Sequence, residues 1–392
     1  MIPARVLHVG KYYPPYAGGM ENFLGDLLPA LEGLALRTGA LVHNDRPRWD
    51  RTLSGSGRPW VVRVPSWGTV LYAPISPAFP KALNGSLHAF RPHLLHLHMP
   101  NTAAFWALTN PIARRIPWVV HWHTDVAPSR IDRRLGVVYP VYRLFEKALL
   151  RQARVIIATS PPYAESSAAL QPWRPKCRVI PLGLDPLRIQ PTSPVGRDPM
   201  TRFWAPGPVL RVLSIGRLTY YKGHDVLVRC AARLPFLQAV IVGTGVQDKP
   251  LRQLIQKYGV GERVRLVGHV PQEMVNALLA SCHVVCLASK ERTEAFGLVL
   301  LEAMVWSRPV VAGRIPGSGV GWVVEHGKTG LLVEPDREDA LAHALQLLHA
   351  DPEGRRMMGE EGRKRFDEHF HIRRVAEQIA AVYREVLDGA VP

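Results

Sequence analysis

Residues 118–158 read WVVHWHTDVAPSRIDRRLGVVYPVYRLFEKALLRQARVIIA. An apolar run from Trp118 to Trp122 is followed by a helical pattern from Val138 to Arg151 and by a second apolar run from Val155 to Ala158. Short runs that stay apolar without alternating fit strands covered on both faces, and a helix between two of them is the crossover of a parallel sheet. The same unit recurs outward in both directions. Arg5 to Val9, Ala40 to His43, Trp60 to Val64 and His93 to His98 predict further strands, with helices over Glu21 to Leu31 and Thr102 to Arg114. From Asp185 to Pro208 six prolines interrupt any periodicity, which predicts a linker. Alternation then resumes, with strands near Leu210 to Ile215, Ala239 to Val242, Val264 to Val267, Val284 to Leu287 and Val310 to Ala312. Helices beginning near Asp336, Pro352 and Ile372 close the chain. The fold class is therefore α/β, with two doubly wound domains over residues 1–190 and 209–370, joined by 191–208 and followed by a helix over 371–392. Ligands of such sheets bind at the carboxyl ends of the strands, so the active site is expected in a cleft between the domains.

Composition supports this reading and excludes others. The 392 residues are 47% hydrophobic and 21% charged, enough to fill two cores and too apolar for a disordered chain. Four cysteines are too few for a disulfide scaffold and fit a reducing compartment. No segment approaches 18 uninterrupted apolar residues and the start lacks a signal-peptide core, so a cytoplasmic location is expected. The net charge of +17 is uneven, because residues 1–190 hold 23 basic and only 10 acidic side chains. A basic half attracts phosphate on nucleic acid, on an anionic membrane or on a pyrophosphate-bearing substrate. Zinc-finger, aromatic RNP and leucine-zipper patterns are all missing, so a nucleic-acid partner is not expected.

Three segments carry candidate chemistry. Gly18-Gly19 follows the first strand and opens a helix, where backbone N–H groups can approach a phosphate closely. An ordinary tight turn would need the same residues, and no Gly-x-Gly-x-x-Gly is present. The second domain opens with Leu213-Ser-Ile-Gly-Arg-Leu-Thr-Tyr-Tyr-Lys-Gly-His224, placing Arg217 and Lys222 beyond a strand's carboxyl end, where two cations can neutralise a diphosphate. Glu291-Arg-Thr-Glu-Ala-Phe-Gly-Leu-Val-Leu-Leu-Glu-Ala-Met304 predicts a helix starting near Phe296 that offers the amides of Gly297, Leu298 and Val299. Glu294 and Glu302 would stand at either end to accept hydrogen bonds from the hydroxyls of an extended ligand; a capping acid and a surface glutamate are the plainer reading.

Gly18-Gly19, Arg217 with Lys222, Glu294-x7-Glu302 and Gly327-x-x-Gly330-Leu-Leu-Val together resemble the retaining family-4 glycosyltransferases of GT-B fold. His121 to Asp125, Thr159 to Tyr163 and Tyr220 to Gly223 are most similar to bacterial rhamnosyl- and mannosyltransferase-like enzymes of lipopolysaccharide or exopolysaccharide synthesis. The resemblance implies an acceptor-binding N-terminal domain, a nucleotide-sugar-binding C-terminal domain and a last helix that returns to the N-domain. It also implies that Arg217 and Lys222 grip the donor diphosphate, Glu302 the ribose and Glu294 the sugar hydroxyls. Amides from Phe296 to Val299 would reach sugar and phosphate, Gly18-Gly19 would approach the phosphates, and the backbone near Val270 would face the base. His123 corresponds to the family's histidine beside the transferred sugar, with Asp125 placed to orient it. The implied donor is a GDP-sugar, mannose or a deoxyhexose first and UDP-hexoses second, and the implied acceptor is lipid-linked or a glycan. No Asp-x-Asp occurs, so no metal and no cofactor are expected. The usual Gly-Gly-x-x-Glu after the Val310 strand is replaced by Pro316-Gly-Ser-Gly-Val-Gly-Trp322, which removes one expected sugar contact. A related epimerase or phosphorylase, or a non-catalytic sugar-nucleotide binder, would share most of these motifs.

Other features have plainer readings. His96 with His98, and His121 with His123, each put two imidazoles on one strand face; a metal site is conceivable, but buried parallel strands favour satisfied core histidines. Cys282 and Cys286 fit core packing. Arg143, Lys147, Arg151 and Arg154 recur at helical spacing beside Tyr142, Phe145 and Leu149, a face suited to an anionic membrane surface or simply to solvent.

Overall fold

The uninterrupted apolar runs become the central strands of two parallel sheets. The computed structural model describes residues 3–16, 18–52, 59–71, 73–126, 133–190 and 203–390. The chain divides into two units, Met1–Leu184 with Ile372–Pro392, and Asp185–His371.

Unit 1 contains β1 (Arg5–Val9), β2 (Arg37–His43), β3 (Asp50–Thr52), β4 (Trp60–Val64), a small hairpin of β5 (Thr69–Val70) and β6 (Ala73–Pro74), then β7 (Leu94–Met99), β8 (Trp118–Trp122), β9 (Val155–Ala158) and β10 (Cys177–Val179). Its main sheet has the order β10-β9-β8-β7-β1-β2-β4-β3, and β3 alone runs antiparallel to its neighbour. The register sets His8 opposite His96 and His98 opposite His121. The helix Gly19–Glu32 follows β1, and the C-terminal helix Ile372–Leu387 packs against it. That last helix belongs to unit 1, its entry fixed by a hydrogen bond from the Ile372 amide to the Leu184 carbonyl at 3.1 Å.

Unit 2 contains β11 (Leu210–Ile215), β12 (Leu237–Val242), β13 (Val264–Gly268), β14 (Val284–Leu287), β15 (Val310–Gly313) and β16 (Gly330–Val333), in the order β13-β12-β11-β14-β15-β16 and parallel throughout. This is the doubly wound order in which the chain reverses direction between β11 and β14. Cys282 and Cys286 lie in this core as free thiols.

Three expectations are corrected. The helix expected over Thr102 to Arg114 is broken into a 3-10 turn at Thr102–Phe105, a short helix at Trp106–Thr109 and a second turn at Ala113–Arg115. Asn110 sits before Pro111 in extended conformation, and its Oδ1 accepts from the amides of Ile112 and Ala113, both at 3.0 Å, so the helix stops and restarts there. Leu149 is fully buried and is not part of any surface face. The end of the expected linker is anchored in unit 2, because Trp204 is buried and its indole donates to Ser281 Oγ at 3.0 Å. Residues 191–202 of that linker lie outside the described residues.

Candidate active site

In unit 2 the loops that leave β11 and β14 face each other at the switch point, and they carry the candidate cations and carboxylate. After Ile215 the chain passes Gly216, Arg217 and a 3-10 turn at Tyr220–Lys222, then enters the helix His224–Arg233 through Gly223. Gly223 has φ +67°, and a Cβ there would stand 1.9 Å from the Ala288 carbonyl oxygen, so only glycine lets the two loops approach this closely. The Lys290 amide donates to the Tyr221 carbonyl at 2.7 Å and completes the strap between them.

That approach brings Lys222 and Glu294 together. Lys222 Nζ donates to Glu294 Oε2 at 2.5 Å, and Ser289 Oγ donates to the same oxygen at 2.9 Å. Their side chains retain only 13% and 10% exposure. Burial alone would lower the Lys222 pKa, but the Glu294 carboxylate more than offsets it, so the ammonium is held above its ordinary range. An ammonium has three donors, and a ligand oxygen can take one that Glu294 does not use. Arg217 is exposed, with Nη2 3.4 Å from the Tyr221 hydroxyl. Beneath the pair, the Lys290 ammonium binds Asp225 at 2.9 Å and Asp336 at 2.7 Å, and Arg229 reaches the same Asp225 at 2.9 Å. This network ties the bases of the two loops together.

The segment after Glu294 also differs in detail from expectation. The helix begins at Leu298, two residues later than expected, because Gly297 caps it with φ +82° and Phe296 is buried against Phe370 and Trp322. Leu298 and Val299 open the first turn, where amides have no partner within the helix. Glu302 lies within this helix with its carboxylate 3.9 Å from Arg188. The loop at Pro316–Trp322 has no acid to offer, yet it supports the site from behind. Ser318 Oγ donates to the Glu294 carbonyl at 2.5 Å, and the Gly319 amide donates to the Ala295 carbonyl at 2.8 Å. Val270 is half-buried between β13 and the helix Gln272–Ser281. Ser289, Lys290 and Ser318 escape sequence reasoning; position at a strand's carboxyl end is the signal that could have found the first two.

In unit 1, Gly18 is the extended residue before the helix Gly19–Glu32, and a Cβ on it would lie 2.2 Å from Glu21 Oε2. His123 follows β8 and is 7% exposed. Its Nε2 lies 2.9 Å from His98 Nδ1, and its Nδ1 has no hydrogen-bond partner. Asp125 therefore does not orient His123. Its Oδ1 accepts from the Trp122 indole at 2.7 Å and from Ser167 Oγ at 2.6 Å, and its amide donates to the Tyr163 hydroxyl at 2.6 Å. Asp125 ties the end of β8 to the helix Pro161–Ser166 that follows β9. Nor are the histidines all satisfied, because both ring nitrogens of buried His121 and Nε2 of buried His96 have no partner. Burial pushes the His123 pKa down to about 3, so at neutral pH the ring is neutral and can only share hydrogen bonds.

Comparison with known proteins identifies the family. Residues 205–365 match the model of glycosyl transferases group 1, and residues 18–183 match the glycosyl transferase 4-like domain. The chain is 30% identical over 376 residues to a GDP-mannose-dependent alpha-(1-6)-phosphatidylinositol monomannoside mannosyltransferase of Mycolicibacterium smegmatis, covering 91% of this chain and 92% of that one. It is 27% identical to O-antigen chain mannosyltransferase C of Escherichia coli, over 98% of this chain and 99% of that one. Among solved structures, sucrose-phosphate synthase from Thermosynechococcus elongatus shares the fold with a TM-score of 0.80 at 24% identity, over 98% of this chain and 100% of that chain.

Proposed function

The chain is a family-4 glycosyltransferase of GT-B fold, and on that premise we propose that it transfers a hexose with retention from a nucleoside-diphosphate sugar to a lipid-linked or glycan acceptor. The observation that carries the reading is the Lys222–Glu294 pair at the β11/β14 switch point, a cation and a carboxylate on one rigid strap. In the reaction the bond from sugar C1 to the diphosphate oxygen breaks and a bond from C1 to the acceptor oxygen forms on the same face. The acceptor's proton passes to the departing phosphate oxygen. Negative charge grows on the diphosphate as the sugar becomes cationic, so cations fixed beside it act most strongly in the transition state. Lys222 and Arg217 supply that charge, and the reading needs no divalent ion there. Glu294 accepts from sugar hydroxyls and Glu302 from the ribose, the first-turn amides near Leu298 and Val299 reach sugar and phosphate, and the backbone near Val270 meets the base.

GDP-mannose or a related GDP-deoxyhexose is the favoured donor, supported by the named donor of the mycobacterial relative. The test is transfer from GDP-mannose and from UDP-glucose to a lipid-linked acceptor, with the new linkage's anomeric configuration read by NMR. An α-linked product from the α-linked donor is expected; a β-linked product overturns retention, and a preference for UDP-glucose overturns the donor assignment.

The membrane forms a second part of the proposal. No helix among the described residues is long and apolar enough to cross a bilayer. The helix Arg133–Gln152 nevertheless exposes Val137 (79%), Val141 (55%), Leu144 (67%) and Phe145 (45%). Arg143, Lys147 and Arg151 are exposed on the same helix, with Arg154 just beyond it. Apolar side chains flanked by cations suit the interface of an anionic bilayer, where each cation contributes about 1 kcal/mol. Vesicles containing anionic lipid should carry the protein in flotation at moderate salt, and neutral vesicles should not. Equal recovery with both would contradict the assignment.

A further inference from the structure

Five buried histidines stand side by side on three adjacent strands of unit 1: His8 on β1, His96 and His98 on β7, and His121 and His123 on and just after β8. Their rings stack almost in parallel, His96 on His98 at 4.5 Å and His121 on His123 at 4.3 Å between centroids. The hydroxyl of Tyr383, from the C-terminal helix, closes one end of the group and is itself fully buried.

The hydrogen bonds join four of these rings and the tyrosine into one unbranched line. His123 Nε2 meets His98 Nδ1 at 2.9 Å, His98 Nε2 meets His8 Nδ1 at 3.0 Å, His8 Nε2 lies 3.5 Å from the Tyr383 hydroxyl, and that hydroxyl makes a close contact with His96 Nδ1. Two overlapping sets of three, His8 with His96 and His98 and His98 with His121 and His123, also have the spacing of a metal trio. The line argues against an ion there, since His98 shares a proton with a ring of each trio and no carboxylate belongs to either.

A neutral imidazole has one N–H and one lone pair, so in such a line each ring's tautomer dictates the next. Tyr383 gives the line its direction. A phenol O–H is a better donor than an imidazole N–H, and an imidazole nitrogen is a better acceptor than a phenol oxygen, so the close contact is Tyr383 donating to His96 Nδ1. Its only proton is then used, and the oxygen can only accept from the His8 Nε2–H. His8 Nδ1 is left as a lone pair that accepts from His98 Nε2–H, and His98 Nδ1 accepts in turn from His123 Nε2–H. We infer that Tyr383 is a positioning residue that, through His8 and His98, holds His123 as the Nε2–H tautomer with a bare Nδ1. His123 Nδ1 is buried and unpartnered; resting on the reading that His123 meets the transferred sugar, a sugar hydroxyl brought against this nitrogen donates to it. The other tautomer would present an N–H instead.

The experiment is long-range proton–nitrogen correlation NMR on the full chain labelled with nitrogen-15 histidine at neutral pH, with His123 assigned by its disappearance in His123→Gln. Wild-type His123 should show a pyridine-like Nδ1 and a pyrrole-like Nε2. In Tyr383→Phe the line loses its director, and the His123 pair should move toward averaged shifts. A wild-type Nδ1–H, or an unchanged pattern in Tyr383→Phe, overturns the inference. The wild-type spectrum decides the direction by itself, so a Tyr383 variant that fails to fold does not shield it. In turnover, Tyr383→Phe should lower kcat about tenfold with little change in the donor KM, the loss of a transition-state hydrogen bond. The spectrum needs no substrate, so the expected tautomer in a protein without transferase activity would sink the glycosyl-transfer reading and leave the histidine line intact.

Discussion

Lys222→Ala lowers the rate of sugar transfer about a hundred- to a thousandfold, the effect of removing one preorganised donor aimed at developing negative charge. The ammonium is held by Glu294 at 2.5 Å on a loop that Gly223 and the Lys290 amide fix against the β14 loop, so it needs no reorganisation when the diphosphate departs. Stability falls much less. Removing the lysine leaves Glu294 with the Ser289 hydroxyl and partial access to water. The expected cost is about 1–3 kcal/mol, below that of breaking a fully buried pair. Initial rates at saturating donor, compared with thermal unfolding of the same preparations, check both parts. A variant that keeps a third or more of the wild-type rate would remove Lys222 from the mechanism. Lys222→Arg is not a rescue, because a planar fork cannot take the place of a point charge between Glu294 and a phosphate.

Acid unfolds unit 1 at an unusually mild pH. Burial pushes His8 and His123 down to about 3, and burial with the repulsion of neighbouring rings also depresses His96, His98 and His121 strongly. In the unfolded chain each ring takes up a proton near 6.5, whereas in the folded unit it resists until far lower pH. Between those limits the unfolded state binds more protons, so stability falls as pH falls below 6.5; above it these groups contribute no pH dependence. Each group costs about 1.4 kcal/mol per pH unit well below 6.5, and one unit below it the five together cost on the order of 7 kcal/mol. That is comparable with the whole margin of about 5–15 kcal/mol of an ordinary domain. Loss of helical circular dichroism should therefore have its midpoint between about pH 5 and 6, and His121→Leu, which removes an unpartnered ring, should move it lower. A midpoint below about pH 4 would show that the rings are solvated or paired.

The central strands were legible because burial on both faces writes itself as a mostly apolar run: Trp60–Val64, broken only by Arg63, Trp118–Trp122, broken only by His121, and Val155–Ala158 have the bounds read from sequence. Edge strands were not. Asp50–Thr52 and Cys177–Val179 are three residues each and mostly exposed or half-buried, so nothing in their composition sets them apart from loop. At the site, charge and the Glu294–Glu302 spacing pointed to Lys222 and Glu294, 72 residues apart in the chain, because both lie past the carboxyl end of a readable strand. Asp125 misled for a local reason, since a carboxylate two residues from a histidine suggests a pair, and the indole of Trp122 and the hydroxyl of Ser167 claim it first. The histidine line was half visible. Pairs at i and i+2 showed a shared face, but His8 and Tyr383 join through sheet register and helix docking across 90 and 287 residues, which no local pattern encodes.

The most direct measurement is calorimetric titration of GDP and UDP into the full chain in excess EDTA, with wild type beside Lys222→Ala. The account predicts micromolar binding of at least one diphosphate by wild type without divalent ion, and a loss of tenfold or more in the variant. Binding that appears only when magnesium or manganese is restored, or that is indifferent to Lys222, would contradict the claim that protein-borne cations hold the leaving group.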